Sequence, residues 1–252
     1  VQSFALAAMS ALGELPPVDV AIHADTTHER AETYRFAAKW TPWLEKRGVK
    51  VVTVKPDDAS VTRWWGDTPG VMLPAFTTYE DGKPSGMTRR QCTKEWKIRP
   101  IRQWLQAHRN GATVEQWIGI TLDEWTRMRD SDVQYIHNHY PFMEMDPPWR
   151  RGVVMRWLNK NGLDIPPKSR CVFCPFQTDA DWRETKRATT DDPLDDWERA
   201  LLADCQIRRH RPGFVAYLHS SCQRLDRVDL RNEQDHGQLE LWGEECTGNC
   251  FL

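Results

Sequence analysis

The first part of the chain alternates apolar runs with amphipathic segments, a pattern that predicts strands and helices in turn. Small and apolar side chains recur through residues 3–13, which predicts a helix that stops at Gly13. The apolar run 18–26 predicts a strand, the amphipathic run 28–48 a helix, and the β-branched run 49–56 a second strand. Because a strand, a helix and a strand in close succession favour a right-handed crossover, we expect the two strands to be parallel.

Beyond residue 56 the pattern predicts loops, one more strand and a series of helices. Glycine and proline punctuate residues 57–90, which predicts loops, and the run 114–120 predicts a strand. Further helices are predicted at 94–109, at 121–130 with Thr121 as its cap, in a segment ending near Gly162, at 179–189 and at 193–209. We therefore expect an α/β fold, with an open, mostly parallel twisted sheet flanked by helices and a helical C-terminal part.

Composition and charge narrow the class of protein. The formal net charge is −2 with 28% charged residues, so the chain lacks the basic excess typical of general nucleic-acid binders. We see no apolar run long enough for a membrane span and no secretory leader, so we expect a cytoplasmic protein that does not bind membranes. The seven cysteines are odd in number and scattered, which favours reduced thiols, some with a metal or redox role, over a disulfide framework.

Two positions near the start of the chain suit a bound nucleotide. Ligands of doubly wound sheets bind beyond the carboxyl ends of the strands, where Asp25 and Thr26 follow the first predicted strand. The first predicted helix begins at Ser3, and a helix N-terminus offers free N–H groups and a positive dipole end to phosphate. The simpler interpretation makes Ser3 a helix cap and Asp25 a turn residue.

The same two positions carry a resemblance to a known family. Val1-Gln2-Ser3 followed by a helix resembles the second half of the PP-loop, Ser-Gly-Gly-x-(Asp or Gln)-Ser, of the adenine nucleotide α-hydrolase superfamily. That superfamily includes N-type ATP pyrophosphatases and phosphoadenylyl sulfate (PAPS) reductases. The stretch "ADTTHERAETYRF" is similar to the reductases' Asp-Thr-Gly…Pro-Glu-Thr-Tyr segment, with Thr27 in place of Gly and Ala31 in place of Pro.

The resemblance implies a Rossmann-like PP-loop domain over residues 1–120 and a mostly helical part over residues 121–252. It implies that Gln2 and Ser3 belong to the phosphate loop, whose first strand and glycines precede this numbering. It also implies that Asp25 and Thr26 line the adenosine of ATP or a PAPS-like nucleotide, with Mg²⁺ if the nucleotide is ATP.

The cysteines form the second informative pattern. Cys171 and Cys174 make a Cys-x-x-Cys motif followed by Pro175, and Cys92 lies far upstream. A Cys-x-x-Cys motif alone is compatible with a zinc half-site, a redox pair or an iron–sulfur half-site.

Taken together, these segments resemble the Cys-Cys-x-x-Arg-Lys-x-x-Pro-Leu…Cys-x-x-Cys pattern of iron–sulfur-dependent adenylyl sulfate reductases. Lys97 and Pro100 match that pattern, whereas Thr93 replaces its second cysteine and Trp96 its arginine. The resemblance implies a 4Fe-4S cluster with three cysteine ligands and one open iron, which in similar tRNA-thiolating PP-loop enzymes carries hydrosulfide. The implied ligands are Cys92, Cys171 and Cys174. Zinc, or no metal, remains the alternative.

Other residues around this pattern have two interpretations each. Cys222, His137 and His139 are candidates for a fourth ligand, although each is more simply a core or surface residue. Arg90 and Lys97 would converge on the cluster and clamp a phosphate or sulfate, or they are solvated surface charges. Cys205, on an amphipathic helix, is expected to be a small buried apolar side chain.

The end of the chain adds two more thiols. Glu245-Cys246 with Gly248 is similar to the C-terminal Glu-Cys-Gly-x-His of PAPS reductases, whose cysteine attacks the nucleotide's sulfur. The resemblance implies that Cys246 and Cys250 relay persulfide or sulfite on a mobile tail. The alternative is a tail whose cysteines have no role.

Three functions remain open at this point. The first is an ATP-dependent sulfurtransferase that adenylylates a nucleobase or nucleic acid and thiolates it with sulfur from a donor. The second is a PAPS or adenylyl sulfate reductase that releases sulfite and uses a thioredoxin-like reductant. The third is a zinc-stapled nucleic-acid-binding module without catalysis. A homodimer is compatible with each.

Overall fold

The computed structural model describes residues 1–57, 73–188, 194–208 and 213–231. The chain divides into two compact units whose segments interleave along the sequence. Unit 1 comprises Val1–Asp25, Glu32–Lys55 and Ile98–Ser169, and unit 2 comprises Thr26–Ala31, Pro56–Lys97 and Arg170–Leu252. These two units differ from the division into residues 1–120 and 121–252 that the family resemblance implies.

The described residues form seven α-helices and seven short strands. The helices are α1 Gln2–Ala11, α2 Ala31–Glu45, α3 Arg99–His108, α4 Pro141–Glu144, α5 Arg151–Lys160, α6 Asp179–Arg187 and α7 Asp196–Ile207. The strands are β1 Ala21–Ala24, β2 Val51–Val54, β3 Phe76–Tyr79, β4 Pro84–Met87, β5 Val114–Trp117, β6 Ile136–His139 and β7 Phe214–Tyr217. No helix in these described ranges is long and apolar enough to span a membrane.

Unit 1 contains two parallel strand pairs. Strands β1 and β2 pair in parallel, with Ala21 opposite Val51, which confirms the strand–helix–strand prediction. Strand β5 pairs in parallel with β6, with Val114 opposite Ile136. The apolar run 114–120 predicts β5, whereas nothing in the pattern predicts β6, because "IHNH" is only four residues long and carries one apolar side chain.

Unit 2 contains a three-stranded antiparallel sheet in which β3 lies between β4 and β7. Strands β3 and β4 fall within residues 57–90, where only loops were predicted, so that prediction was wrong. The reason is visible in the sequence: β4 begins with proline and contains a glycine, and β3 buries the consecutive Thr77 and Thr78 rather than alternate residues. The fold is a mixed α/β one with small parallel and antiparallel sheets.

The predicted helices are largely confirmed, with differences at their ends. Helix α1 stops where expected, and Gly13 follows it with φ of 76°, a conformation that glycine adopts without strain. The helix predicted over 94–109 begins as a π-helix, Thr93–Ile98, before α3. The helix predicted over 121–130 is a 3₁₀ helix, Leu122–Arg127, and Thr121 stands at its N-cap without a side-chain capping bond.

Each unit has its own apolar core. In unit 1, one face of α1 packs with α2 and α5 in a cluster that includes Leu6, Trp40 and Leu158. In unit 2, Val172 and Phe173 of the Cys-x-x-Cys segment pack with Trp96 of the π-helix and residues of α6, α7 and β7. The core of unit 2 therefore anchors the segments that carry the candidate ligands.

Candidate cysteine site

The Cys-x-x-Cys segment of unit 2 lies beside the short stretch that precedes α2. The backbone N–H of Val172 donates to the carbonyl of His28 at 2.8 Å, and that of Arg30 donates to the carbonyl of Arg170 at 3.3 Å. Glu29 and Cys171 form an antiparallel bridge between the two segments. This pairing brings Thr26 next to Cys171, where its Oγ1 lies 3.3 Å from the cysteine Sγ.

A closed turn separates the two cysteines of the motif. The backbone N–H of Cys174 donates to the carbonyl of Cys171 at 3.1 Å, and the Gln177 side chain donates to the carbonyls of Val172 and Cys174. Because Val172 and Phe173 are buried in the apolar core of unit 2, the turn is fixed by this packing as well as by its own hydrogen bonds.

Cys92 comes from a distant part of the sequence but belongs to the same unit. It precedes the π-helix and packs against the same apolar cluster as Cys171. Burial raises the pKa of the Cys174 thiol to about 11, and the proximity of Cys92 adds to this rise. Burial, then Glu29 and Cys174, also raise the pKa of Cys171. Cys174 therefore interacts electrostatically with both Cys92 and Cys171.

The donor set fits a thiolate-bound metal or iron–sulfur cluster. All three cysteines are free, partly buried thiols, and the thiolate form is favoured by Lys97 at Cys171 and by Arg90 and Lys97 at Cys174. Within the described ranges, no group of three or more His, Cys, Asp or Glu side chains is placed so that it could hold a metal ion. Metal binding would therefore require the cysteine side chains to move as well as to lose their protons.

A buried ion pair lies at this site. Glu29 is completely buried, and its Oε1 accepts a hydrogen bond from Nζ of Lys97 at 3.0 Å. Burial by itself lowers the pKa of Lys97, but Glu29, Cys171 and Cys174 together raise it above its usual value. Lys97 is therefore a cation at neutral pH. It forms an ion pair with Glu29 and lies near the thiols of Cys171 and Cys174. The motif spacing predicts Lys97 as a site residue, whereas no pattern marks Glu29, since a glutamate beside a helix start is normally exposed.

A second charged network fixes the two paired segments from the helical side of unit 2. Both oxygens of the buried Asp196 accept from the backbone N–H of Ala31, at 3.3 and 3.1 Å. Arg199 bonds Asp196 and the carbonyls of Glu29 and Thr27, and Thr27 has φ of 64°, which is rare for a β-branched residue. These contacts were not predicted, because no local pattern marks a buried aspartate.

Arg170 extends this network beside the cysteine motif. It is buried, and it pairs with Asp181 at 2.8 Å and with Glu184 at 3.1 Å, both on α6. Glu184 also pairs with Arg30 at 3.2 Å. Arg90, the other predicted anion-binding arginine, stacks over the ring of Phe176 with 5.2 Å between its guanidinium carbon and the ring centroid.

The nucleotide residues predicted near the start of the chain belong to unit 1, apart from Thr26. Gln2 donates from Nε2 to Glu124 at 3.3 Å, and the backbone nitrogen of Ser3 lies so close to Gly119 that a Cβ there would be 2.8 Å away. Asp25 is buried and accepts from the hydroxyl of Tyr34 at 2.9 Å. It also pairs with Lys55 at 3.3 Å. Asp25 therefore has structural partners, and its contact with adenosine stays a prediction.

The remaining candidates divide between the two units. His137 and His139 lie on β6 of unit 1, where Nδ1 of His139 is 3.7 Å from Glu144. Cys222 lies in unit 2 with φ of 54°. Cys205 is exposed on α7, so the expectation that it is buried was wrong. It occupies the solvent side of α7, whose buried positions include Ala203 and Ile207. Cys246 and Cys250 lie outside the described residues.

Comparison with known proteins finds no match for this chain among protein-family models, curated proteins or solved structures. The family resemblance therefore depends on the short motifs alone.

Proposed function

We propose that the protein is a PP-loop enzyme of sulfur chemistry whose unit 2 holds a 4Fe-4S cluster through Cys92, Cys171 and Cys174. The observation that carries the proposal is that Cys92 belongs to the same unit as the Cys171–Cys174 motif, far from it in sequence, and interacts electrostatically with Cys174. Thiolate donors disfavour hard oxygen-loving metals and leave iron–sulfur and zinc as the candidates.

The charges around the thiols support an anionic centre with an anionic substrate. Three thiolates bring negative charge into an enclosed site, and such charge is tolerated only when it is paired. Lys97 and Arg90 provide the cations, and Thr26 provides a hydroxyl to Cys171. Glu29 already balances Lys97 before the thiols ionise, so of the two cations Arg90 alone opposes the three thiolates and the positive charge of a bound metal or cluster would have to offset the rest.

The proposed substrate is an adenine nucleotide, with ATP favoured over PAPS. The resemblance assigns its phosphates to the amides near Gln2 and Ser3 and its adenosine to Asp25 and Thr26. In the favoured reaction a substrate oxygen attacks the α-phosphate of ATP and pyrophosphate leaves. Sulfur then displaces AMP to give the thiolated product. When bound, the cluster would supply an iron site for sulfur that has no protein ligand, because Thr93 stands where a fourth cysteine would be.

Anaerobic purification with iron, zinc and acid-labile sulfide analysis tests the metal centre. We expect about four irons and four sulfides per chain with visible absorption of an iron–sulfur cluster. Cys92→Ser, Cys171→Ser and Cys174→Ser should each lower the iron content to roughly a tenth or less, because each removes one ligand. Cys205→Ser is the matched control and should keep the wild-type content, since Cys205 is exposed on α7.

Product analysis with the loaded enzyme separates the two chemistries. AMP and pyrophosphate formed from ATP support sulfur transfer, whereas thioredoxin-dependent sulfite formed from PAPS supports the reductase. Zinc without sulfide would overturn the cluster and support a zinc-stapled nucleic-acid-binding module. Equal iron loss in Cys205→Ser would show that the metal is bound nonspecifically.

A further inference from the structure

A second group of reactive side chains lies in unit 2, outside the cysteine site. Nδ1 of His219 is 2.8 Å from Oγ of Ser221, and Nε2 of the same ring is 3.0 Å from Oδ1 of Asp179. The His219 side chain is only 6% exposed, while that of Asp179 is 52% exposed. Ser221 itself is exposed. A serine, an imidazole and a carboxylate therefore form one hydrogen-bonded chain that reaches the surface.

The hydrogen bonds fix the tautomer of the neutral imidazole. The backbone N–H of Ser221 also points at Nδ1 of His219, with 3.1 Å between the nitrogens. A backbone N–H only donates, so Nδ1 is the acceptor and Nε2 carries the proton that is donated to Asp179. The Ser221 hydroxyl then donates to Nδ1. This is the polarity of a nucleophile paired with a base that a third group orients.

The turn that presents Ser221 is held in place by backbone bonds on both sides. The buried carboxylate of Asp204 accepts from the backbone N–H groups of Leu218 at 3.1 Å and Leu225 at 3.0 Å. The backbone N–H of Cys222 donates to the carbonyl of His219 at 3.0 Å. The distance between serine and histidine is therefore set by a fixed scaffold, as a preorganised reactive group requires.

We propose that Ser221 is an activated nucleophile, with His219 as its base and Asp179 as the group that orients the ring, and that it takes acyl groups from small activated esters. Oγ of Ser221 attacks the ester carbonyl carbon while its proton passes to Nδ1 of His219. The ester oxygen leaves with that proton. Water then cleaves the acyl–Oγ bond, its proton passing through His219, so that one ester and one water give one acid and one alcohol.

The exposure of the group determines the substrate class. Ser221 and the outer side of Asp179 are reachable from solvent, whereas His219 is covered, so the site suits a small electrophile that approaches the hydroxyl directly. None of the three residues is among the candidate metal ligands. The proposal therefore stands whether or not unit 2 holds a cluster.

The test uses the full-length chain with two probes, p-nitrophenyl acetate and an alkyl fluorophosphonate. The fluorophosphonate should add one phosphonyl group per chain, with loss of fluoride, and peptide mapping should place it on Ser221. Ser221→Ala should abolish the label and the release of p-nitrophenol above background. Ser220→Ala is the matched control, since Ser220 is an exposed neighbour, and should leave both unchanged.

Asp179→Asn tests the orienting role, because it keeps the side-chain shape and removes the charge that faces Nε2 of His219. We expect the labelling rate to fall at least about tenfold, since positioned general bases contribute more than this to such reactions. His219→Asn should lower the labelling rate by as much, and circular dichroism checks that this variant is folded. An unlabelled wild-type chain, a label that persists in Ser221→Ala, or an unchanged rate in Asp179→Asn would each overturn the proposal.

Discussion

The two units differ in what they bury. Among the described residues, the buried acidic, basic and histidine side chains of unit 2 are Glu29, Arg30, Arg170, Asp196, Asp204 and His219, whereas unit 1 buries only Asp25. Unit 1 is stabilised by an apolar cluster between its helices, which includes the buried Leu6 and Leu158. Unit 2 has an apolar core too, but its candidate ligand segments are also fixed by charges.

In unit 2, buried charges position the candidate site without regular secondary structure. Residues 26–31 and the Cys-x-x-Cys turn pair over only a few residues, too few to be stable as an isolated sheet. Asp196 and Arg170 fix them to α7 and α6 instead. A buried charge is expensive when unpaired, so the network tolerates one arrangement and disfavours others.

Removal of a buried charge from unit 2 should have the largest effect on stability. Asp196→Asn keeps the side-chain shape but removes the anion that pairs with Arg199 at 3.3 Å and with Arg30 at 3.9 Å. Arg30 keeps its pair with Glu184. We expect the free energy of unfolding to fall by about 3–5 kcal/mol, the usual cost of breaking a buried pair. Urea denaturation of the metal-free protein measures it. Glu198→Gln, at an exposed position on the same helix, should change stability by less than about 0.5 kcal/mol. An equal change in both would refute the role of the network.

Unit 1 should respond to shape rather than charge. Leu158 on α5 is completely buried, so Leu158→Ala should cost about 2–5 kcal/mol through lost burial and the cavity left behind. Leu158→Met nearly keeps the volume and should cost less than about 1.5 kcal/mol. The same urea titration measures both. If the methionine variant lost as much as the alanine variant, packing volume would not be what stabilises this unit.

The contrast also explains which parts of the molecule the sequence could predict. The apolar period predicts α1, α2, α5 and the β1–β2 pair well, because these elements bury one regular face in unit 1. Strands β3 and β4 escaped prediction, since four-residue strands with glycine, proline or adjacent buried threonines show no alternation. Strands β6 and β7 were also missed, since each is only four residues long.

Some residues of the candidate site could also be predicted from the sequence, and others could not. Three cysteines and Lys97 stood out as residue types with a characteristic spacing, and they belong to one unit. Glu29, Asp196 and Arg199 did not, because a charged residue is normally exposed and only the folded chain reveals its burial. Cys205 was misjudged for the complementary reason: cysteine is usually buried, and here the helix turns it to solvent.

The thiols of unit 2 should make the metal-free protein sensitive to alkali. Burial raises the pKa of Cys174 from about 9 to about 11, so its contribution to stability is complete below about pH 9 and is lost as the pH rises through 11. A shift of this size corresponds to about 2–3 kcal/mol. Urea denaturation of the reduced, metal-free protein between pH 8 and 11 should show this loss, and Cys174→Ala should reduce it.

Cys205→Ala provides the matched control for that pH series. Its thiol is exposed, so the variant should keep the wild-type loss of stability above pH 9. A pH profile of Cys174→Ala identical to that of the wild type would mean that the Cys174 thiol is hydrated in the folded state. Burial of the Cys174 thiol would then not contribute to the stability of unit 2.

The smallest effect belongs to an exposed charge of unit 1. Asp123 accepts the backbone N–H of Arg151 at 2.6 Å and pairs with Arg150 at 3.1 Å, so it caps α5 from the preceding 3₁₀ helix. These hydrogen bonds hold its pKa below the usual value, so its contribution is present above about pH 4 and is lost as the pH falls further. Asp123→Asn should cost only about 0.3–1 kcal/mol at pH 7, because the carboxylate is solvated.

The pH dependence distinguishes this capping charge from a merely polar side chain. Between pH 5 and pH 3 the difference in unfolding free energy between the wild type and Asp123→Asn should narrow, because protonation removes the charge that the variant lacks. Asp130→Asn, at an exposed position just beyond the same 3₁₀ helix, should match the wild type throughout. A difference as large as that of Asp196→Asn would mean that unit 1 also depends on its charges, and the contrast between the units would disappear.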